Sequence, residues 1–179
     1  CFSDLGNHVI CVDKDLTKIK KLQRGIIPIF EPGLDELVKR NVKNKRLIFS
    51  DDLKNSIKKS DIIFICVGTP TKKNCNSADL SQVYTAAKEI SKSINKFKII
   101  INKSTVPVTT GDEIEKIISK KVNKKFFSVV SNPEFLREGD AIRDFIYPDR
   151  VVVGSNDSKS QRVLKNLYSP LISKGAKFV

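Results

Sequence analysis

An α/β fold, doubly wound about a mainly parallel sheet with helices on both faces, is predicted by three features of the sequence. Apolar runs of strand length alternate with segments whose apolar residues recur at helical spacing, the order that builds a parallel sheet. One run, Asp61–Val67, is apolar after its first residue, as a strand covered on both faces must be. Glycine and proline cut the runs off sharply, at Gly68 and Pro70 and again at Pro133.

Each element follows from its own pattern. Gly6 looks like the stop of a helix, since glycine readily takes the left-handed cap conformation. His8–Asp13 is a short strand ending in an acid. Leu16, Ile19 and Leu22 lie at helical spacing in Leu16–Gln23, which Gly25 ends. Ile26–Gly33, with two prolines, is a loop. Leu34–Val42 reads as a helix and Leu47–Phe49 as a strand. Ser50 and Asp51 have the chemistry to cap a helix carrying Leu53 and Ile57. After the Asp61–Val67 strand, Asp79 begins a long helix, Leu80–Ile94, with Val83, Ala86, Ala87 and Ile90 inward. Lys98–Ile101 is a strand, and Lys103–Val108 leaves it. Thr110–Glu113 opens a helix with acids in the first turn, where the dipole favours them. Phe126–Val130 and Val151–Val153 are strands, Ser158 is expected to cap a helix through Tyr168, and Phe178–Val179 begins a further strand.

Two places carry candidate chemistry. Asn132-Pro133 stops the Phe126–Val130 strand, and Glu134 and Glu138 follow, four apart. If the chain turns helical after Pro133, these two carboxylates share one face, either beside a ligand or merely solvated. Asp13 ends a strand, the place of the ribose-binding acid in a dinucleotide-binding βαβ unit. That acid lies about 20 residues beyond the glycine-rich turn. Asp13 is too near Cys1 for the turn to fit, so the expectation is a Rossmann-like sheet lacking its first strand. The bland alternative is that Asp13 caps the Leu16–Gln23 helix. Parallel strands end on one edge, so Asp13, Gly68–Pro70, Ser104, Thr105 and Glu134 are expected on a common rim. It holds no metal cluster.

Composition narrows the class. Lys and Arg total 33 and the net charge is +13, but only seven of the 33 are Arg and the lysines are scattered. Nucleic-acid binders gather charge on one face and read bases with Arg. Solvated lysine-rich helix faces explain the charge better, and such a surface still attracts an anionic small substrate. A non-catalytic basic module binding nucleic acid or a polyanion remains the alternative of a different class. Cys11 and Cys66 lie in apolar runs and read as small buried hydrophobes. Cys75 reads as an incidental surface thiol, and no cysteine or histidine spacing suggests zinc. No apolar run approaches the roughly 20 residues that span a bilayer. Cys1–Gly6 lacks the segments of a secretory signal, so with free thiols we expect a cytoplasmic protein.

Six blocks, in order, carry a resemblance: Glu31–Leu34, Val67–Thr71, Lys103–Val108, Asn132–Gly139, Asp144-Phe145 and Pro148–Gly154. Together they resemble the nucleotide-sugar dehydrogenases of the UDP-glucose/GDP-mannose dehydrogenase family. The Pro148-Asp149-Arg150 block favours UDP-glucose 6-dehydrogenases over enzymes of GDP-mannose or other UDP-sugars. The resemblance implies oxidation of UDP-glucose to UDP-glucuronate, a polysaccharide precursor, with two NAD⁺. The route passes through an aldehyde, a cysteine thiohemiacetal and a thioester. It implies Asp13 as the ribose acid, with Lys18 near the adenosine side. It also implies cofactor contacts from Val67, Gly68, Thr69, Pro70, Thr71, Ser104, Thr105, Val106 and Glu138. Glu134 matches a base working with water, Thr105 its hydroxyl partner, and Glu134, Phe135, Leu136, Arg137 and Glu138 the segment touching the sugar. Two parts of the pattern are missing: the glycine loop and the segment of the catalytic cysteine, for which Cys75 is no substitute. Thr109 stands where the family often has glycine. The chain is therefore expected to be an NAD-binding domain cut at both ends, inactive alone and homo-oligomeric when full length.

Overall fold

Parallel strand pairs and the helices between them form the architecture, in the order the apolar runs predicted. A computed structural model of the chain describes residues 1–72 and 77–179. They group into two compact units. One comprises Cys1–Ser56, Phe135–Asp149 and Ser169–Lys177; the other comprises Ile57–Glu134, Arg150–Tyr168 and Phe178–Val179.

In the first unit, β1 (Val9–Val12) and β2 (Leu47–Ser50) pair in parallel, Val9 opposite Leu47 and Val12 opposite Ser50. Helices α1 (Leu16–Gln23) and α2 (Leu34–Lys43) pack on β2. Asn41, fully buried in α2, donates to the Leu37 carbonyl at 2.8 Å and to Asp4 at 3.0 Å, and accepts from Arg46. Residues 2–6 form a turn in which Leu5 N–H donates to the Cys1 carbonyl, and Gly6 takes φ +95°, the left-handed conformation expected of it. Helices α6 (Ala141–Ile146) and α8 (Ser169–Ile172) belong to the same unit, and the Phe145 ring meets Phe2 edge-on at 5.0 Å.

Helix α3 (Leu53–Lys59) leads on to the second unit. Its cap is Asp52, one residue beyond the expected position: Asp52 accepts from Asn55 N–H at 2.9 Å. The second unit holds β3 (Ile62–Ile65), β4 (Lys98–Asn102) and β5 (Phe127–Ser131), in that spatial order and all parallel. Helices α4 (Ser81–Ser91) and α5 (Thr110–Ser119) pack on one another and on β3 and β5. On α7 (Ser158–Leu167), Leu164 joins Ile99, Ile101 and Val130 in a buried cluster. Side chains alternate along a strand, so Ile100 faces the opposite side, the one that α4 and α5 cover. The strand covered on both faces is therefore β4, buried at every residue, and not β3 at the sheet's edge, which is only half-buried. After β5 in the chain, β6 (Arg150–Val151) pairs with β7 (Lys177–Phe178).

Lys98 opens β4 fully buried, its ammonium donating to the carbonyls of Lys58 and Ser60 at the C-terminal end of α3, where a cation is favoured. Several expectations are corrected. Cys11 and Cys66 are exposed, not buried. Cys11 lies in a thinly covered two-stranded sheet, and Cys66 is one residue past the end of β3. Asp157, not Ser158, caps α7, accepting from Lys159 and Ser160 N–H. Cys75 lies outside the described residues. No helix among the described residues is long and apolar enough to cross a membrane.

Candidate functional site

In the second unit the candidate residues follow directly from the C-terminal ends of three parallel strands. Val67–Thr71 leaves β3, Ser104–Val106 leaves β4, and Glu134 leaves β5. That edge is where open α/β sheets bind ligands. The first two segments are tied together. The Ser104 hydroxyl donates to the Val67 carbonyl at 2.7 Å, and the Thr69 hydroxyl donates to the Thr105 carbonyl at 3.0 Å. Asp79 N–H holds the Pro70 carbonyl at 2.7 Å, and Thr71 bridges to Ala78. Gly68 has an ordinary φ, and a Cβ built on it would meet nothing within 4 Å. Neither the backbone nor a neighbouring atom of the chain demands glycine there, so the open side suits a ligand lying against the backbone.

The approach to Glu134 is fixed from two sides. Asn132 is 1% exposed. Its backbone N–H donates to the Asn102 carbonyl at 3.0 Å, and its side-chain amide donates to the Val152 carbonyl at 2.7 Å. Its side-chain oxygen accepts from the buried Tyr168 hydroxyl at 2.5 Å. From β4, the Lys103 ammonium donates to the Pro133 carbonyl at 3.4 Å. Burial pushes the Lys103 pKa down, and the nearby Glu134 charge opposes that shift. Burial likewise pushes the Tyr168 phenol up, so it stays a neutral donor. Glu134 itself is exposed and, among the described residues, in no hydrogen bond or ion pair. The Thr105 hydroxyl is also unengaged among the described residues, so its pairing with Glu134 is not formed within the chain.

The helix that would set Glu134 and Glu138 on one face does not form. Residues 132–137 are irregular, and α6 begins only at Ala141. Glu134 and Glu138 therefore share no helix face. In the first unit, Phe135 and Leu136 are exposed, and the segment is held through Arg137 and Gly139. The Arg137 guanidinium is engaged by Asp144, at 2.7 and 3.0 Å, and by Asp140 at 3.0 Å; Arg137 N–H also donates to Asp144. The Glu31 carboxylate accepts from Gly139 N–H at 2.9 Å and from Ala141 N–H at 2.7 Å, capping α6 from more than 100 residues away. Gly139 takes φ +83°, which glycine alone adopts freely. The hydrogen bonds from Arg137 hold the Asp144 carboxyl well below the usual range, at about 2. A depressed folded-state value means that this brace contributes fully above the unfolded-state value, about 3.9, and is lost as pH falls through about 2. A carbon-13 NMR titration is expected to give that low midpoint for Asp144, and Arg137→Ala, which removes the guanidinium and keeps the backbone N–H bond, to raise it part of the way toward about 3.9. An unchanged midpoint in the variant would show that Arg137 is not the cause.

Also in the first unit, Asp15 caps α1, accepting from Thr17 N–H at 2.9 Å and Lys18 N–H at 3.0 Å. The bland role for Asp13 is therefore taken by its neighbour. Asp13 accepts from Asp15 N–H at 3.0 Å and pairs with the Lys18 ammonium at 2.7 Å. Lys18 first, then the backbone N–H, lowers the Asp13 pKa, so it is a carboxylate at neutral pH.

Comparison with known proteins decides the family. Residues 1–172 match the NAD binding domain of the UDP-glucose/GDP-mannose dehydrogenase family. The chain belongs to this family. A UDP-glucose 6-dehydrogenase of Rhizobium meliloti is 53% identical over 173 residues, 96% of this chain and 40% of that protein. The Bacillus subtilis UDP-glucose 6-dehydrogenase TuaD is 48% identical over 95% of the chain and 37% of its own length. Among solved structures, a UDP-glucose dehydrogenase from Pyrobaculum islandicum superposes with a TM-score of 0.93 at 34% identity, over 99% of this chain and 41% of that one. A GDP-mannose dehydrogenase from Pseudomonas aeruginosa, crystallised as a ternary complex, gives 0.93 at 36% identity, over 100% and 42%. This family member thus spans about two-fifths of the length of these relatives, and its Rossmann-like α/β fold is theirs.

Sequence reasoning missed four residues here: Glu31, Lys103, Asn132 and Tyr168. Glu31 and Lys103 lie in blocks that carry the family resemblance but had been given no role. Asn132 also lies in such a block, but an asparagine before proline reads only as a strand stop; Tyr168 lies in none, and a tyrosine at a helix end reads as core.

Proposed function

We propose that this chain is the NAD-binding part of a nucleotide-sugar dehydrogenase that oxidises UDP-glucose to UDP-glucuronate. The observation that carries the reading is Glu134. Its carboxylate is exposed, unbonded within the chain, and held just past the end of β5, in the unit where Gly68 is open and the Ser104 loop is fixed. The high identity to UDP-glucose 6-dehydrogenases supports the substrate. The likeness to a GDP-mannose dehydrogenase supports that sugar nucleotide as the second reading.

NAD⁺, when bound, accepts hydride from the sugar carbon. The chain's own residues suit such a cofactor: Asp13 is a carboxylate freed from capping, and Gly68 leaves its backbone open. Asp13 and Lys18 would hold the adenosine side, and Val67–Thr71, Ser104–Val106 and Glu138 would lie along the rest. Oxidising an alcohol to an acid requires removal of protons, and Glu134 takes them directly or through a water that the Thr105 hydroxyl orients. Phe135, Leu136 and the backbone of Arg137 offer surface to the sugar, while the Arg137 side chain serves as a brace. We place the enzyme in the cytoplasm and expect it to act as a homo-oligomer.

The test is stoichiometry. The full-length protein with limiting UDP-glucose and excess NAD⁺ is expected to form two NADH per sugar, read at 340 nm. GDP-mannose oxidised faster than UDP-glucose would favour the second reading. Salt-sensitive RNA or DNA binding, with no NADH from either sugar, would favour a basic binding module instead.

A further inference from the structure

We infer that Tyr168, acting through Asn132, and Lys103, acting through the Pro133 carbonyl, are positioning residues that hold Glu134 in its working place. The inference rests on the proposed role of Glu134. All of these residues lie in the second unit.

The argument is one of degrees of freedom. Asn132 is anchored at three atoms: its N–H on the Asn102 carbonyl, its amide nitrogen on the Val152 carbonyl, and its side-chain oxygen under the Tyr168 hydroxyl. That ties β4, the segment after β5 and the end of α7 to one residue and locks its side chain, while the following proline confines its ψ to the extended region. Pro133 comes next, with φ fixed by its ring. The remaining torsion before Glu134 is that of the Pro133 carbonyl, and the Lys103 ammonium holds that oxygen. The chain between the buried Asn132 and Glu134 is thus restrained at Asn132 and at the Pro133 carbonyl, although Glu134 itself is exposed. A general base works only within hydrogen-bond reach of the proton it takes, and a displacement of about 1 Å can lower turnover about 100-fold. The Tyr168 hydroxyl is buried and donates to Asn132; its effect on the place of Glu134 is assigned to that bond, which makes it a positioning residue and not a catalytic one.

The test compares variants of the full-length protein in two backgrounds, Glu134 intact and Glu134→Gln. Tyr168→Phe keeps the buried ring and removes the hydroxyl. It is expected to lower kcat about 10-fold, to leave the KM for NAD⁺ unchanged, and to change kcat by less than about twofold once Glu134 is Gln. Lys103→Met is expected to behave in the same way, and Lys103→Arg, which still donates to a carbonyl, to recover most of the rate. Thermal melts of all variants run alongside. Equal losses in both backgrounds, or a lowered melting temperature with kcat intact, would overturn the inference while leaving the role of Glu134 standing. Wild-type kcat in Glu134→Gln alone would overturn the role of Glu134 and the positioning with it. Should Tyr168→Phe fail to fold, the Lys103→Met and Lys103→Arg pair decides the matter in the same two backgrounds.

Discussion

In the full-length protein, Glu134→Gln is expected to lower kcat about 10²–10⁴-fold, roughly 3–5 kcal/mol in the barrier, with little change in the KM for UDP-glucose. Glutamine keeps the shape and one acceptor oxygen but cannot take a proton. An effect on kcat alone is the signature of an interaction made in the transition state. Stability should not intervene: the carboxylate makes no hydrogen bond or ion pair among the described residues, and surface substitutions of that kind stay within about 0.5 kcal/mol. If Glu134 also serves the hydrolytic step, a covalent adduct should accumulate, visible by mass spectrometry after mixing the variant with UDP-glucose and NAD⁺. Wild-type kcat with no adduct would leave Glu134 a solvated residue at the end of a strand.

What the sequence disclosed and what it hid divide along a physical line. Strands and helices that bury apolar faces were legible, because burial imposes its period on the chain. Ile99, Ile101 and Leu164 lie in one cluster for that reason. Features set by partners far along the chain were not legible. The helix considered after Pro133 does not form, and residues 132–137 are irregular. The helix that does form starts at Ala141, where Glu31 supplies acceptors from more than 100 residues away. The pattern placed Lys98 at the start of a strand and gave no sign of its burial, which depends on its ammonium reaching two carbonyls at the end of α3. Cys11 and Cys66 looked buried because their neighbours are apolar, but a thin sheet and a strand end leave both exposed. The candidate site shows the same division. Its loops could be placed by the ends of apolar runs, whereas the bonds that fix them, Ser104 to Val67 and Asn132 to Tyr168, join residues 37 and 36 positions apart.

The second large effect is expected at Asp13. Asp13→Ala should lower kcat/KM for NAD⁺ roughly 10–100-fold, the loss of one or two charge-assisted hydrogen bonds to ribose hydroxyls at about 1.5–3 kcal/mol for the set. It should also erode the preference for NAD⁺ over NADP⁺, because the carboxylate that repels a 2′-phosphate is gone. The structure adds a condition that the sequence left open. Lys18 holds one Asp13 oxygen at 2.7 Å and Asp15 N–H holds the other at 3.0 Å. A carboxylate has about four acceptor positions, so two remain for ribose with the pair intact. An ion pair this exposed contributes at most about 1 kcal/mol, so losing it should barely move the melting temperature. With Asp13 gone, Lys18 loses its partner and becomes a cation able to meet the 2′-phosphate. NADP⁺ use should therefore rise in Asp13→Ala and fall back when Lys18→Ala is added. Steady-state kinetics with both cofactors on the wild type and these two variants would measure it. A cofactor ratio unchanged by Asp13→Ala would mean that Asp13 serves only to anchor Lys18 and the start of α1, and the ribose acid would have to be sought elsewhere in the full-length protein.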